Sequence, residues 1–223
     1  MKNLYFLIFT LLTTYSQAQI VTIPDANFKN ALINTLCVDT DGNGIGDSDA
    51  DTNNDGEIQV SEAEAVLNLI VIIQNISSLQ GIQSFVNLER LNCGGNPLLS
   101  LDLTQNPNLI SLSSINGQLT SIDITQNTNL EYLACYDNQL PSLDVTQNPK
   151  LEYLACYQNQ ITSLDVTQNP LLIQLRCHEN LLTNLDVTQN PNLEWLLCFS
   201  NQLTSLDLGQ YSNLANISCF ENQ

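Results

Sequence analysis

The chain has 223 residues, a size that suits one ordinary domain or one short solenoid. Its 23 acidic residues against five Lys and Arg give a formal charge of −18, which repels nucleic acid and anionic lipid and favours cations or basic patches as partners. Beyond the N-terminus no apolar stretch approaches bilayer-spanning length, so membrane insertion is not expected.

Lys2, the apolar run Leu4 to Leu12, and the small residues of Ser16-Gln17-Ala18 predict a secretory signal over 1–18, cleaved before Gln19. The run is short for a membrane anchor, so the mature chain is expected to be soluble and exported. Residues 19–66 carry no repeat and read as an N-terminal cap. Asp25 is placed to cap a short helix from Ala26, with Phe28, Leu32, Ile33 and Leu36 as an apolar side that covers the open edge of the first coil. Two Asp-rich loops come next. Asp51 to Glu62 matches an EF-hand loop: Asp51, Asn53, Asp55, the carbonyl of Glu57 and both oxygens of Glu62 as calcium ligands, Gly56 at the sharp turn, Ile58 as the anchor. This stretch resembles EF-hand and dockerin-type loops, with Ala63 where a large apolar residue is usual and no helix directly before Asp51. The segment Asp39-x-Asp41-x-Asn43-Gly44-x-x-Asp47 resembles thrombospondin type 3 calcium repeats but has Ala50 at position twelve. A solvated Asp/Asn/Gly turn is the plain alternative for both. Bound Ca²⁺ is expected to be structural, neutralising crowded acids and fixing the cap.

From residue 67 to 223 the chain is repetitive. Leu67 to Val86 reads as an irregular first coil, with Leu67, Ile70, Ile72 and Asn75 in the strand and turn columns. After it a 21-residue step governs Leu88, Leu109, Leu130, Leu151, Leu172, Leu193 and Leu214, and equally the run from Leu91 to Ile217. Cys93, Ser114, Cys135, Cys156, Cys177, Cys198 and Cys219 keep the same step. Leu133 and Cys135 alternate with Tyr132, Ala134 and Tyr136, which is strand periodicity, and Leu140, Leu143 and Val145 close the opposite wall. Asn138 and its equivalents mark the turn out of the strand, where stacked amides can satisfy backbone groups; Asn148-Pro149 makes the next corner. One coil departs, with Ser114, Gly117 and Thr128 for Cys, Asn and Pro, and Asn116-Gly117 predicts a tighter turn there. Seven cysteines in an exported chain suggest disulfides, but an inward strand column reads better as buried thiols acting as small hydrophobes. No Cys-x-x-Cys or clustered His points to a metal in that column.

The outward strand columns gather the aromatics. One runs Arg90, Ser111, Tyr132, Tyr153, Gln174, Trp195, Asn216; another runs Gly94, Ile115, Tyr136, Tyr157, His178, Phe199, Phe220. Tyr132, Tyr136, Tyr153, Tyr157, Arg176, His178, Trp195 and Phe199 are the candidate ligand-binding residues, because Tyr and Trp combine apolar area with a polar tip. Ala134 and Ala155 predict a shallow trough between the rows, rimmed by Glu131, Glu152, Glu194, Asp137 and Glu179. The expected ligand is an extracellular protein with a basic patch, or a glycan stacking on the rings. Cross-strand stacking that only stabilises the sheet is the competing reading. The other face carries Asp102, Asp123, Asp144, Asp165, Asp186 and Asp207, expected to accept bonds from nearby N–H groups. Catalysis is not expected: there is one His, no Ser-His-Asp pattern and no phosphate loop, and Arg176 is a poor base for a calcium-assisted polysaccharide lyase. The chain stops at Gln223, just past a turn Asn. The readings are an exposed last edge, a covering chain or a fragment, and self-association through that edge is the rival scaffold role.

These columns, over about residues 88–223, resemble secreted bacterial leucine-rich-repeat proteins of internalin type. Ile23-Pro24-Asp25-Ala26-Asn27-Phe28 and the Asp-rich loops resemble their entry segment. The resemblance implies a β-rich α/β solenoid, curved and right-handed, with a short helical cap and recognition on the concave side. It implies no particular partner.

Overall fold

The computed structural model describes residues 19–208 and 213–223; the signal-like leader lies outside them. Helix α1 (Ala26–Asn34) starts where Asp25 predicts. The Asp25 Oδ1 accepts the backbone N–H groups of Asn27 and Phe28, both at 2.9 Å, while Oδ2 accepts from Ser77 N (2.9 Å), Ser77 Oγ (2.7 Å) and Ser78 N (3.0 Å). One carboxylate thus caps the helix and ties it to the first coil. Phe28, Ala31 and Leu32 are buried against that coil's core. Leu36 corrects the expected apolar side: α1 has ended by Asn34, and Leu36 is 65% exposed. Helix α2 (Val60–Ala65) follows the second Asp-rich loop.

The rest is a parallel solenoid of three-residue strands: β1 (Asn68–Ile70), β2 (Arg90–Asn92), β3 (Ser100–Asp102), β4 (Ser111–Ser113), β5 (Ser121–Asp123), β6 (Tyr132–Ala134), β7 (Tyr153–Ala155), β8 (Gln174–Arg176), β9 (Trp195–Leu197) and β10 (Asn216–Ser218). Eight form one sheet in the order β1-β2-β4-β6-β7-β8-β9-β10; β3 and β5 pair on another wall. From β2 onward, partners in the long sheet are one 21-residue step apart, as in Leu133↔Leu154↔Leu175↔Leu196. Each central Leu from β1 to β9 in this sheet is buried, because alternate strand residues face one side. Truncating one, such as Leu154→Ala, would cost about 2–5 kcal/mol through lost transfer energy and a cavity.

The first coil corrects the sequence register. Leu69 pairs with Leu91, a 22-residue step, so Leu69 and Val71 face the core, while Leu67 and Ile72 are exposed and Ile70 is half-buried. A one-residue slip exchanges the faces of every side chain in a strand.

Two Asn ladders hold the coils together. In the first, Asn180 Oδ1 accepts Ile161 N–H at 3.0 Å, and Nδ2 donates to Cys156 O (3.0 Å) and Cys177 O (3.1 Å); Asn138, Asn159 and Asn201 repeat the pattern. In the second, Asn148 Nδ2 donates to Ile124 O (3.1 Å) and Asn127 O (2.9 Å), and Asn106, Asn127, Asn169 and Asn190 are equally buried. The residue before each position of the first ladder column, Gly117 included, has positive φ: Gly95, Asn116, Asp137, Gln158, Glu179, Ser200 and Glu221. Asn116 has φ 52°, close to the 55° of Asp137, so Asn116-Gly117 does not tighten the turn but keeps the common bend. On the far wall, Asp102 Oδ1 accepts the backbone N–H (3.0 Å) and hydroxyl (2.7 Å) of Thr104, which hold its carboxyl below the usual range. All seven cysteines are free thiols, six buried and Cys219 exposed.

Candidate functional site

The outward face of the long sheet is built by the register. Because successive strands lie about 4.8 Å apart, identical columns bring rings to stacking distance. Tyr132 and Tyr153 stack at 4.5 Å, with planes 5° apart. A second column stacks five rings: Tyr136–Tyr157, Tyr157–His178 and His178–Phe199 at 4.3 Å each, and Phe199–Phe220 at 4.6 Å. Arg176 lies over the Tyr153 ring, its Cζ 5.5 Å from the centroid, and Nη2 donates to Gln174 Oε1 at 3.4 Å. The eight sequence-predicted binding residues therefore share one surface.

They do not share one environment. Tyr132 (38%), Trp195 (37%) and Phe220 (57%) are the exposed aromatics, while Tyr136, Tyr153, Tyr157 and Phe199 are half-buried. His178 is only 9% exposed, closed between Tyr157 and Phe199. Burial holds its pKa below the ordinary value; Glu179 pulls it up and Arg176 pushes it further down, so His178 is a neutral ring of the stack at neutral pH. Burial also pushes Tyr157 up to about 12, so its phenol stays protonated. Ala134 (1%) and Ala155 (0%) do not floor an open trough: they are buried between the two ring rows. Phe220 belongs to the same sequence column but not to the candidate residues, and it is the most exposed ring among the described residues. At the cap end, Asp39, Asn68, Arg90, Ser111 and Tyr132 line a depression continuous with the face.

The two Asp-rich loops share one conformation at a 12-residue offset. Asp39 Oδ2 accepts Gly44 N–H as Asp51 Oδ2 accepts Gly56 N–H, both at 2.8 Å; Asn43 Oδ1 accepts Ile45 N–H as Asp55 Oδ1 accepts Glu57 N–H, at 2.8 and 2.9 Å. Gly44 and Gly56 take φ of 85° and 82°, which a Cβ would disfavour. The loops close differently. In the first, Asp47 takes the Thr40 hydroxyl at 2.9 Å, and oxygens of Asp39, Asp41 and Asp47 converge within 4.8 Å. In the second, Glu62 reaches back to Gln59 N (3.0 Å), Thr52 Oγ1 (2.9 Å) and Asn53 N (3.2 Å). Asp51 and Glu62 are both buried, and Lys29 pairs with Glu57 instead, at 2.7 Å. Buried hard oxygens without a cationic side chain suit a divalent ion of the calcium kind, so the donor chemistry of the second loop fits. Ile58 is buried and its carbonyl accepts Val21 N–H at 2.8 Å, anchoring the loop as the sequence predicts.

No protein-family model and no curated protein matches this sequence. Solved structures do. The functional domain of InlJ from Listeria monocytogenes, described as including a cysteine ladder, is 29% identical with a TM-score of 0.52, over 92% of this chain and 53% of that one. A leucine-rich-repeat protein of Leptospira interrogans is 32% identical with a TM-score of 0.61, over 66% of this chain and 41% of that one. Internalin C2 from L. monocytogenes is 19% identical with a TM-score of 0.56, over 93% and 97%. The chain is a leucine-rich-repeat solenoid. Its structural neighbours include internalin-type proteins, and it spans about half the length of the InlJ domain. In this chain the inward Cys column, buried at Cys93, Cys135, Cys156, Cys177 and Cys198, is interrupted at Ser114. Among the described residues no helix is long and apolar enough to cross a membrane.

Proposed function

We propose that this chain is a non-catalytic extracellular recognition module that binds a protein partner on the aromatic outward face of its long sheet. The observation that carries the reading is the exposure of Tyr132, Trp195 and Phe220 beside two stacked ring rows, on positions that the core does not use. Stacking accounts for the alignment of the rings. It does not account for Trp195, which among the described residues stacks on no other ring. The extracellular assignment rests on the signal-like leader and on the internalin-type neighbours.

The test is a binding screen of the purified chain, with calcium, against extracellular proteins and glycans, using a Tyr157→Ala/Trp195→Ala double variant as control. A protein ligand lost in the folded double variant supports the reading; a ligand bound equally by both removes it, and a glycan lost in the variant moves the ligand class.

In the same reading calcium sits in the Asp51–Glu62 loop, held by Asp51, Asn53, Asp55, the Glu57 carbonyl and Glu62, and stiffens the junction between cap and first coil. The closure of that loop by Glu62 and its buried Asp51 support the assignment. The melting temperature is expected to rise from EDTA to millimolar Ca²⁺; equal values in both would remove calcium from the cap.

A further inference from the structure

The face is electrostatically unlike the rest of the chain. None of the outward residues of the eight long-sheet strands is Asp or Glu, and none is in the ring column beside them; two are Arg. The acids sit just outside, on exposed Glu131, Glu152 and Glu194 along one rim and Asp137 and Glu179 along the other. Arg176 stands in the middle of this strip, between Ala155 and Leu197 in the register. It is half-buried, its guanidinium rests on Tyr153, and that guanidinium's one hydrogen bond among the described residues is the 3.4 Å contact to Gln174. Its Nε is buried with no acceptor, and no carboxylate lies within ion-pair distance of it among the described residues, whose single ion pair is Lys29–Glu57. A guanidinium offers five N–H donors, and among the described residues only Nη2 engages an acceptor; with Nε buried, it is the Nη groups that an incoming anion would meet. Aromatic contact thus holds an unpaired cation in place in a chain of charge −18, with guanidinium donors suited to a carboxylate.

Resting on the binding-face reading above, we infer that the partner protein places one Asp or Glu side chain, flanked by apolar residues, on Arg176 beside Tyr153 and Trp195. The anion is single rather than repeated. The other outward cation, Arg90, lies in the same column as Gln174 but four strands away, roughly 19 Å at the usual strand spacing. A sulfated or uronate polymer would need cations at closer intervals and would meet both acidic rims. A protein segment can carry one carboxylate over Arg176 while basic residues on either side reach those rims, and this also reconciles an acidic chain with an acidic contact.

The test is selection from a displayed library of random dodecapeptides against the purified chain, Arg176→Gln, and the Tyr157→Ala/Trp195→Ala double variant. Circular dichroism checks that each is folded. The wild-type chain is expected to enrich peptides with one acidic residue among apolar ones. Arg176→Gln is expected to lose the acidic preference but keep the apolar one, and to bind the synthetic consensus peptide at least about tenfold more weakly, as for a charged hydrogen bond. Arg176→Lys should recover part of that loss. Identical sequences enriched by wild type and Arg176→Gln would overturn the Arg176 assignment while leaving the face as the site. Identical sequences enriched by wild type and the double variant, or no enrichment by wild type, would overturn the face itself. In parallel, a heparin hexasaccharide bound by wild type and lost in Arg176→Gln would overturn the protein partner in favour of a glycan.

Discussion

Replacing Asn180 by Leu isolates the contribution of the first amide ladder, because Leu has a similar size and cannot hydrogen-bond. The amide is buried, and its Oδ1 accepts Ile161 N–H at 3.0 Å. In the variant that N–H loses this acceptor in a buried setting, which costs about 1–3 kcal/mol. The carbonyls of Cys156 and Cys177 each lose one donor but keep another, Asn159 Nδ2 and Asn201 Nδ2, both at 3.1 Å. Each of those losses adds on the order of 0.5–1 kcal/mol, so the expected destabilisation is about 2–5 kcal/mol. Urea unfolding reads it by circular dichroism and by Trp195, the single tryptophan, which sits in the next strand, β9. Coils contact mainly their neighbours, so the two signals must coincide for a single free energy to be assigned. Asn192→Ala, which removes an exposed 3.2 Å bond to Pro170 O, is the control and should change stability by less than about 0.5 kcal/mol. An Asn180→Leu midpoint within that same margin at an unchanged slope would refute the ladder as a source of stability.

Asp25→Ala removes both the α1 cap and the tie to Ser77 and Ser78, and should cost about 1–3 kcal/mol by thermal or urea unfolding. Burial raises the Asp25 pKa, but the bonds from Ser77, Phe28 and Ser78 outweigh it and leave the carboxyl below 3.8; its contribution is therefore present above that value and lost as pH falls through the folded pKa, and a variant with an unchanged acid limb would refute this. His178 contributes in the same direction: its folded pKa lies below 6.5, so the unfolded chain binds more protons as pH drops through that value and stability falls with it. His178→Phe should weaken the stability loss between about pH 7.5 and 5.5, a window spanning the ordinary His value, and an equal loss in both proteins would count against a buried neutral ring. Burial pushes the Cys135 and Cys198 thiols up to about 12, so a disulfide-exchange reagent should titrate Cys219 quickly and the other six thiols only in denaturant; two or more fast thiols in the native chain would refute a closed column.

The inward columns were legible because burial imposes a strict condition on each of them. A Leu at every 21st residue has no alternative but the core, and Asp25 ahead of Ala26 announced α1 through its side-chain oxygen alone. The first coil was misread because its step to β2 is 22 residues, and nothing in the apolar run Leu69 to Ile73 distinguishes Leu69 and Val71 from Ile70 and Ile72 until a neighbouring strand fixes the register. The left-handed bend was invisible for a different reason. Asp137, Gln158, Glu179 and Ser200 take positive φ without being Gly or Asn, since backbone bonds to the next coil, such as Asp137 N–H to Tyr157 O at 3.0 Å, hold them there. The shared conformation of the calcium-type loops could have been read from Asp-x-Asp/Asn-x-Asn/Asp-Gly recurring at 12 residues. The burial of Ala134, Ala155 and His178 could not, because it depends on how far rings lean over their neighbours.

A solenoid separates the demands of folding from those of recognition. The central strand Leu is kept through β9, and Asn138, Asn159, Asn180 and Asn201 recur at each turn, because each coil must bury the same face and satisfy the same carbonyls. The outward position opposite them is free to vary, and it does: Arg90, Ser111, Tyr132, Tyr153, Gln174, Trp195, Asn216. Variation confined to the outward columns of an otherwise regular lattice places chemical information at known spacing on a rigid surface. Stacking then restricts what that information can be, since a ring flanked by rings loses its faces to its neighbours and offers only its edge. The positions left to contact a partner are those where the stack is broken or ends, at Tyr132, Trp195 and Phe220, and the one cation set among them, Arg176. On the proposed binding face, chemical variety therefore resides in the interruptions of the repeat rather than in the repeat.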